Sequence, residues 1–126
     1  MTTSARPALM LSALLFSCSS GTGPTSGILN GKLSSLRGDD GAVLFTITGG
    51  PVESVEAVSG TVRSAQINAN TLRVVITGNL SAGTIARVRI ADASQASRYS
   101  IAVNQVAARA TYVQRDPGQY SITLAP

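Results

Sequence analysis

Hydrophobic and polar residues alternate at every second position over much of this chain. The clearest stretch is 84–90, where Ala86, Val88 and Ile90 alternate with Arg87 and Arg89. Successive side chains of a β-strand point to opposite faces, so this period predicts a strand with one buried and one exposed face. Similar patterns predict further strands at 42–48, 52–58, 61–67, 71–77, 98–103 and 120–124.

Turn-forming residues separate these stretches. Gly-Gly-Pro occupies 49–51, Asn-Ala-Asn occupies 68–70, and Asp-Pro-Gly occupies 116–118. Short strands separated in this way are typical of sandwiches and barrels. We therefore predict an all-β protein with a single sandwich of about 7–9 short strands.

One segment, 103–113, fits two kinds of structure. Its hydrophobic residues are Val103, Val106, Ala107, Ala110 and Val113. Spacings of three and four residues also match one face of a helix. The sequence alone therefore allows either a strand or a short helical turn here.

The first 17 residues have the pattern of an export signal. Arg6 precedes an apolar run at 8–16, and small residues follow this run. A helix needs about 20 apolar residues to span a bilayer, and this run has roughly half of that. The segment therefore predicts secretion, with 1–17 as a signal peptide, and not a transmembrane anchor.

The residues at the end of the apolar run indicate a lipid anchor. Leu15-Phe16-Ser17-Cys18 resembles the lipobox of bacterial lipoproteins, although Phe16 departs from the small or β-branched residue usual there. The resemblance implies that Cys18 becomes the acylated N-terminus of the mature protein and holds it on a membrane. Ser19 resembles the residue that directs such proteins to the outer membrane of a diderm bacterium. The alternative is an ordinary signal-peptidase site, with Cys18 as one of its small residues.

The rest of the chain divides into a tether and one domain. Residues 19–27 are Ser, Gly, Thr and Pro only, which is typical of a flexible linker. We predict a lipidated Cys and tether at 18–30 and the sandwich at 31–126. With a single cysteine there is no intramolecular disulfide, so the domain depends on its hydrophobic core.

The order of the predicted strands and the placement of the turns over 38–125 resemble a cohesin-like or immunoglobulin-like sandwich of small bacterial lipoproteins. Such folds serve scaffolding, sugar binding and partner docking. The resemblance implies a binding or docking role and transfers no residue roles.

Residue usage excludes several kinds of catalysis. The chain has no His and one Cys, which removes Ser-His-Asp and Cys-His arrangements and His-liganded zinc. We predict a non-catalytic protein with no cofactor and no metal. A small glycoside hydrolase stays as an alternative, because such enzymes need two carboxylates. The candidates are Glu53, Glu56, Asp92 and Asp116.

The cations give a second candidate site. Nine of the ten Lys and Arg residues are Arg, and without Arg6 the balance is 9 − 6 = +3. Arg63, Arg73, Arg87 and Arg89 take outward positions on predicted strands, where neighbours would form a strip suited to phosphate or carboxylate. The alternative is a set of scattered, solvated strand positions. Nucleic acid is not a predicted partner, because the charge excess is small and aromatic residues are few.

Ordinary roles in turns and in the core account for two short motifs and for most of the aromatic residues. The tripeptide at 37–39 matches an adhesion motif, and 39–41 offers oxygen ligands for Ca²⁺, but both lie in a predicted turn that favours Gly and Asp. Phe45, Tyr99 and Tyr120 fall on predicted inward positions, which leaves Tyr112 as an exposed aromatic platform.

These observations predict a non-catalytic lipoprotein, tethered to the membrane of the bacterial cell envelope, that docks an envelope protein or polysaccharide. The first alternative is that the Arg-rich face binds an anionic polymer or a lipid head group. Salt weakens such binding strongly, whereas docking through an apolar surface tolerates it.

Overall fold

A computed structural model describes residues 23–35 and 37–126. The predicted signal peptide and Cys18 lie outside this part of the chain. The described residues form nine strands and two short 3-10 helices. The strands are β1 (Gly27–Ser34), β2 (Asp40–Thr48), β3 (Val52–Ala57), β4 (Thr61–Asn68), β5 (Thr71–Leu80), β6 (Gly83–Ile90), β7 (Ser100–Ala108), β8 (Gln114–Arg115) and β9 (Ser121–Ala125). The 3-10 helices are Ala93–Arg98 and Pro117–Gln119.

The strands form two antiparallel sheets. One has the order β3-β6-β1-β9, and the other has the order β4-β5-β2-β7-β8. The inner faces of both sheets contribute to one hydrophobic core. The predicted all-β sandwich is therefore confirmed, with nine strands among the described residues.

The alternation predicts correctly which side chains are buried. Val43, Phe45 and Ile47 on β2 are 0% exposed. Leu72, Val74 and Ile76 on β5 and Ala86, Val88 and Ile90 on β6 are also buried. Tyr120 belongs to the core, and Tyr99 packs against its margin.

The half-buried Tyr99 also fixes the turn between β2 and β3. Its hydroxyl donates a hydrogen bond to the carbonyl oxygen of Pro51 at 2.5 Å. Its ring lies where a side chain at Gly50 would stand, because a Cβ there would be 2.6 Å from the hydroxyl oxygen. Burial raises the pKa of Tyr99, so this hydroxyl keeps its proton at neutral pH.

Strand β1 was missing from the predicted strands. It begins at Gly27, so residues 27–30 of the predicted tether belong to the sandwich. Its inward positions are Leu29, Gly31 and Leu33, and Gly31 interrupts the hydrophobic pattern. A Cβ at Gly31 would meet Ile122 at 3.5 Å, so a small residue suits this position.

The ambiguous segment 103–113 is a strand that continues to Ala108, followed by a turn into β8. No helix forms here, but the turn has one bond of helical spacing, which the Tyr112 N–H donates to the Ala108 carbonyl oxygen at 3.0 Å. The pairing of β7 with β2 shifts between Leu44 and Phe45, whose partners are Gln105 and Val103. This bulge places one extra residue in β7, so Val103 and Val106 both contact the core although they are three positions apart.

Candidate docking surface

The four predicted anion-binding arginines lie on two different sheets. Arg63 is on β4 and Arg73 is on β5, whereas Arg87 and Arg89 are both on β6. All four are exposed, as predicted. Because the outer faces of the two sheets point in opposite directions, the four residues form two separate pairs and not one strip.

Two hydrophobic residues face outward on the five-stranded sheet. Leu44 on β2 is paired directly with Val75 on β5. Arg63 is the partner of Val75 on one side, and Gln105 is the partner of Leu44 on the other. A row across four strands therefore has a cation, two half-buried aliphatic side chains and an amide.

Small residues on both sides of this row produce a shallow groove. Two adjoining depressions of about 360 and 230 Å³ share Leu44 and Val75. We call this surface the groove. Its floor is formed by Ala42, Leu44, Ala65, Val75 and Ala107, and its rim by Arg63, Arg73, Gln105 and Gln114.

The groove has a positive electrostatic environment. The five strands of its sheet contain one acidic residue, Asp40, and that residue is fully buried. Neither Arg63 nor Arg73 forms a salt bridge with any described residue. Two exposed guanidinium groups at one end of an apolar floor are suited to a ligand that is both apolar and anionic.

The opposite outer face differs in charge. Arg87 is the cross-strand partner of Glu56, and Ile28 is the partner of Arg89. These side chains and Ser54 surround a depression of only about 60 Å³. A carboxylate therefore accompanies the Arg pair on this face, and the space for a ligand is small.

A buried carboxylate joins the two sheets at one end of the sandwich. Asp40 accepts hydrogen bonds from the Ser35 hydroxyl at 2.7 Å, from the Tyr120 hydroxyl at 3.0 Å and from Arg115 Nη1 at 2.7 Å. Ser35 follows β1 and Tyr120 precedes β9, whereas Asp40 begins β2 and Arg115 ends β8. We call these four residues the Asp40 cluster.

The predicted turn at 37–41 is therefore shorter than expected. Asp40 and Gly41 belong to β2, and both carboxylate oxygens of Asp40 are already bonded to protein donors. The exposed Asp39 carboxylate forms a salt bridge with Arg115 at 2.8 Å. This hydrogen bond holds the pKa of Asp39 below its ordinary value. The described residues contain no group of three or more candidate metal ligands.

Arg109 supports the same end of the fold. Its backbone N–H donates to the Asp39 carbonyl at 2.9 Å, and Nη2 lies 3.4 Å from the carbonyl oxygens of Gly38 and Leu80. A Cβ at Gly41 would be 2.6 Å from the Arg109 Cα. Glycine at 41 therefore permits the close approach of the β7–β8 turn to β2.

Three of the four candidate catalytic carboxylates lie in separate places. Asp92 and Asp116 begin the two 3-10 helices, where their side chains accept from the backbone N–H of Ser94 and Gly118. Glu56, Asp92 and Asp116 line three different depressions. Glu53 lies on β3 with Glu56, and neither Asp92 nor Asp116 lines the depression beside that strand.

Neither the groove nor the Asp40 cluster was predicted as a site. The signal for the groove is present in the sequence, since Val43-Leu44-Phe45 and Val74-Val75-Ile76 are unbroken hydrophobic triplets within alternating strands. The middle residue of each triplet must face outward. The Asp40 cluster has no local signal, because Asp40 and Arg115 are separated by 75 positions.

Comparison of the chain with protein-family models, with curated proteins and with solved structures finds no match. Within the described residues, no helix has the length and hydrophobicity needed to cross a membrane.

Proposed function

We propose that this protein is a non-catalytic docking module, held on a membrane of the bacterial cell envelope through acylated Cys18. The observation that carries the docking role is the groove, because an apolar depression on an outer sheet face is typical of an interaction site. The chain resembles cohesin-like and immunoglobulin-like sandwiches in its strand and turn pattern, which supports the same role. In a diderm bacterium, Ser19 favours the outer membrane as the location.

The anchor is supported by the segment before the sandwich. The lipobox-like residues 15–18 precede a linker that reaches β1 at Gly27. At about 3.5 Å per residue, the nine steps along the chain from Cys18 to Gly27 would extend roughly 30 Å at most. The sandwich would therefore stay close to the membrane while its outer faces remain accessible to partners.

The alternative function, in which an Arg-rich face binds an anionic polymer or a lipid head group, is less well supported. It depends on several cations on one surface, and the division between sheets leaves two of the four arginines on each face. The pair beside the groove is accompanied by apolar side chains, which favours a partner with both properties.

Replacing Cys18 by Ala is expected to release the protein from the membrane fraction. Two or three acyl chains at roughly 0.8 kcal/mol per buried CH₂ would anchor the wild type almost permanently. Intact-mass spectrometry of the protein from bacterial membranes should show a chain that begins at Cys18 with added acyl mass. Cys18→Ala should lack that mass.

The matched control is Ser20→Ala, which changes a small residue outside the lipobox-like segment and should remain acylated. An unmodified, soluble wild-type chain would contradict the anchor. Loss of acylation in both variants would show that the change at Cys18 is not specific.

A further inference from the structure

We propose that the groove binds an extended acidic segment of a partner protein, in which a carboxylate is followed two positions later by an apolar side chain. This inference rests on the docking function proposed above and specifies its site and the chemistry of the partner. The carboxylate would lie between Arg63 and Arg73, which line the same depression, and the apolar side chain would contact Leu44 and Val75.

The spacing of the two arginines fits such a segment. Arg63 pairs with Val75, and Arg73 lies two positions from Val75 on the same strand. Diagonal neighbours of this kind are about 7–8 Å apart. A carboxylate placed between the two arginines can therefore accept hydrogen bonds from both guanidinium groups, each of which has a forked set of donors.

The position of the apolar residues fixes the second element of the ligand. Val75 and Leu44 follow Arg63 along the row, at intervals of about 4.8 Å between strands. Alternate residues of an extended peptide are about 6.6 Å apart and point to the same side. A segment whose carboxylate lies between the two arginines therefore places its next same-side residue over Val75 and Leu44. Ala42 and Ala65 leave space there for a side chain to enter.

The shape and charge of the groove disfavour other occupants. A bilayer is flat, and Leu44 and Val75 are half-buried in a depression, so they do not project into lipid. A second copy of the same face would place arginines against arginines. Residues 1–22 contain no Asp or Glu, so the segment before the described chain lacks the required carboxylate. A polysaccharide site would need an aromatic platform, and the exposed Tyr112 lies in the β7–β8 turn outside the groove.

The test uses a fluorescein-labelled peptide with the sequence Gly-Ser-Asp-Ser-Leu-Ser-Gly, titrated with the purified full chain and followed by fluorescence anisotropy. Arg63→Ala/Arg73→Ala should weaken binding about tenfold or more, because it removes two charge-assisted contacts. Arg87→Ala/Arg89→Ala removes the same charge from the opposite face and should change binding less than about twofold.

Two altered peptides test the ligand chemistry. Replacing the Asp by Asn, or the Leu by Ser, should each weaken binding about tenfold. Circular dichroism of both double variants should match the wild type, since all four arginines are exposed.

Three results would overturn the inference. These are no binding of the peptide to the wild type, equal losses in the two double variants, or binding to vesicles of anionic phosphatidylglycerol that is lost in Arg63→Ala/Arg73→Ala while the peptide does not bind. Acylation of Cys18 is measured separately, so failure of the peptide leaves the test of the tether intact.

Discussion

Replacing Asp40 by Ala is expected to lower the free energy of unfolding by about 3 kcal/mol. The Asp40 side chain is 0% exposed and accepts hydrogen bonds from two hydroxyl groups and one guanidinium. Without this carboxylate, the buried Tyr120 hydroxyl loses its acceptor and Arg115 loses its buried partner. Because these residues belong to both sheets, the two sheets should separate more easily at this end.

Urea denaturation of the full chain at neutral pH measures this loss. Asp39→Ala is the matched control, because Asp39 contacts the same Arg115 from an exposed position. Exposed ion pairs contribute little, so this variant should unfold at nearly the wild-type urea concentration. Equal midpoints for Asp40→Ala and Asp39→Ala would contradict the structural role assigned to the Asp40 cluster.

Phe45→Ala is expected to be at least as damaging, with a loss of about 3–5 kcal/mol. Phe45 is 0% exposed on the central strand β2, between its partners Val74 and Val103. Truncation leaves a cavity that neighbouring strands cannot fill without breaking their pairing. Since small domains are stable by only about 5–15 kcal/mol, much of the protein should unfold at moderate denaturant concentrations.

The adjacent residue provides the control. Leu44 occupies the opposite face of β2 on the floor of the groove and is half-buried. Leu44→Ala should cost less, about 1.5 kcal/mol, because this side chain is only partly buried and its removal leaves an open surface and not an enclosed cavity. The unfolding midpoints of the two variants compare the faces directly. A similar loss for both would mean that Leu44 is part of a packed interior and not of an open groove.

The sequence predicted the sandwich because its evidence is local. Alternation at Val43, Phe45 and Ile47 and at Ala86 and Val88 assigns buried faces without knowledge of strand order. Strand β1 was not predicted because Gly31 takes an inward position and has no side chain to continue the hydrophobic pattern. The spacing of Val103 and Val106 suggested a helix because a bulge changes the period of β7.

The candidate site was only partly predictable. Outward positions for Arg63, Arg73, Arg87 and Arg89 follow from the period of each strand. The sheet to which a strand belongs does not follow, because it depends on pairing between distant segments. For this reason, the division of the arginines and the pairing of Leu44 with Val75 appear only in the folded chain.

The docking claim is tested most directly by site-specific photo-crosslinking in membranes. A photo-reactive phenylalanine analogue replaces Leu44 in the groove or, as the matched control, the exposed aliphatic Ile28 on the other sheet. The account predicts a light-dependent protein adduct from position 44 that is absent from position 28 and is lost in Arg63→Ala/Arg73→Ala. No adduct from position 44, or the same adducts from both positions, would contradict it.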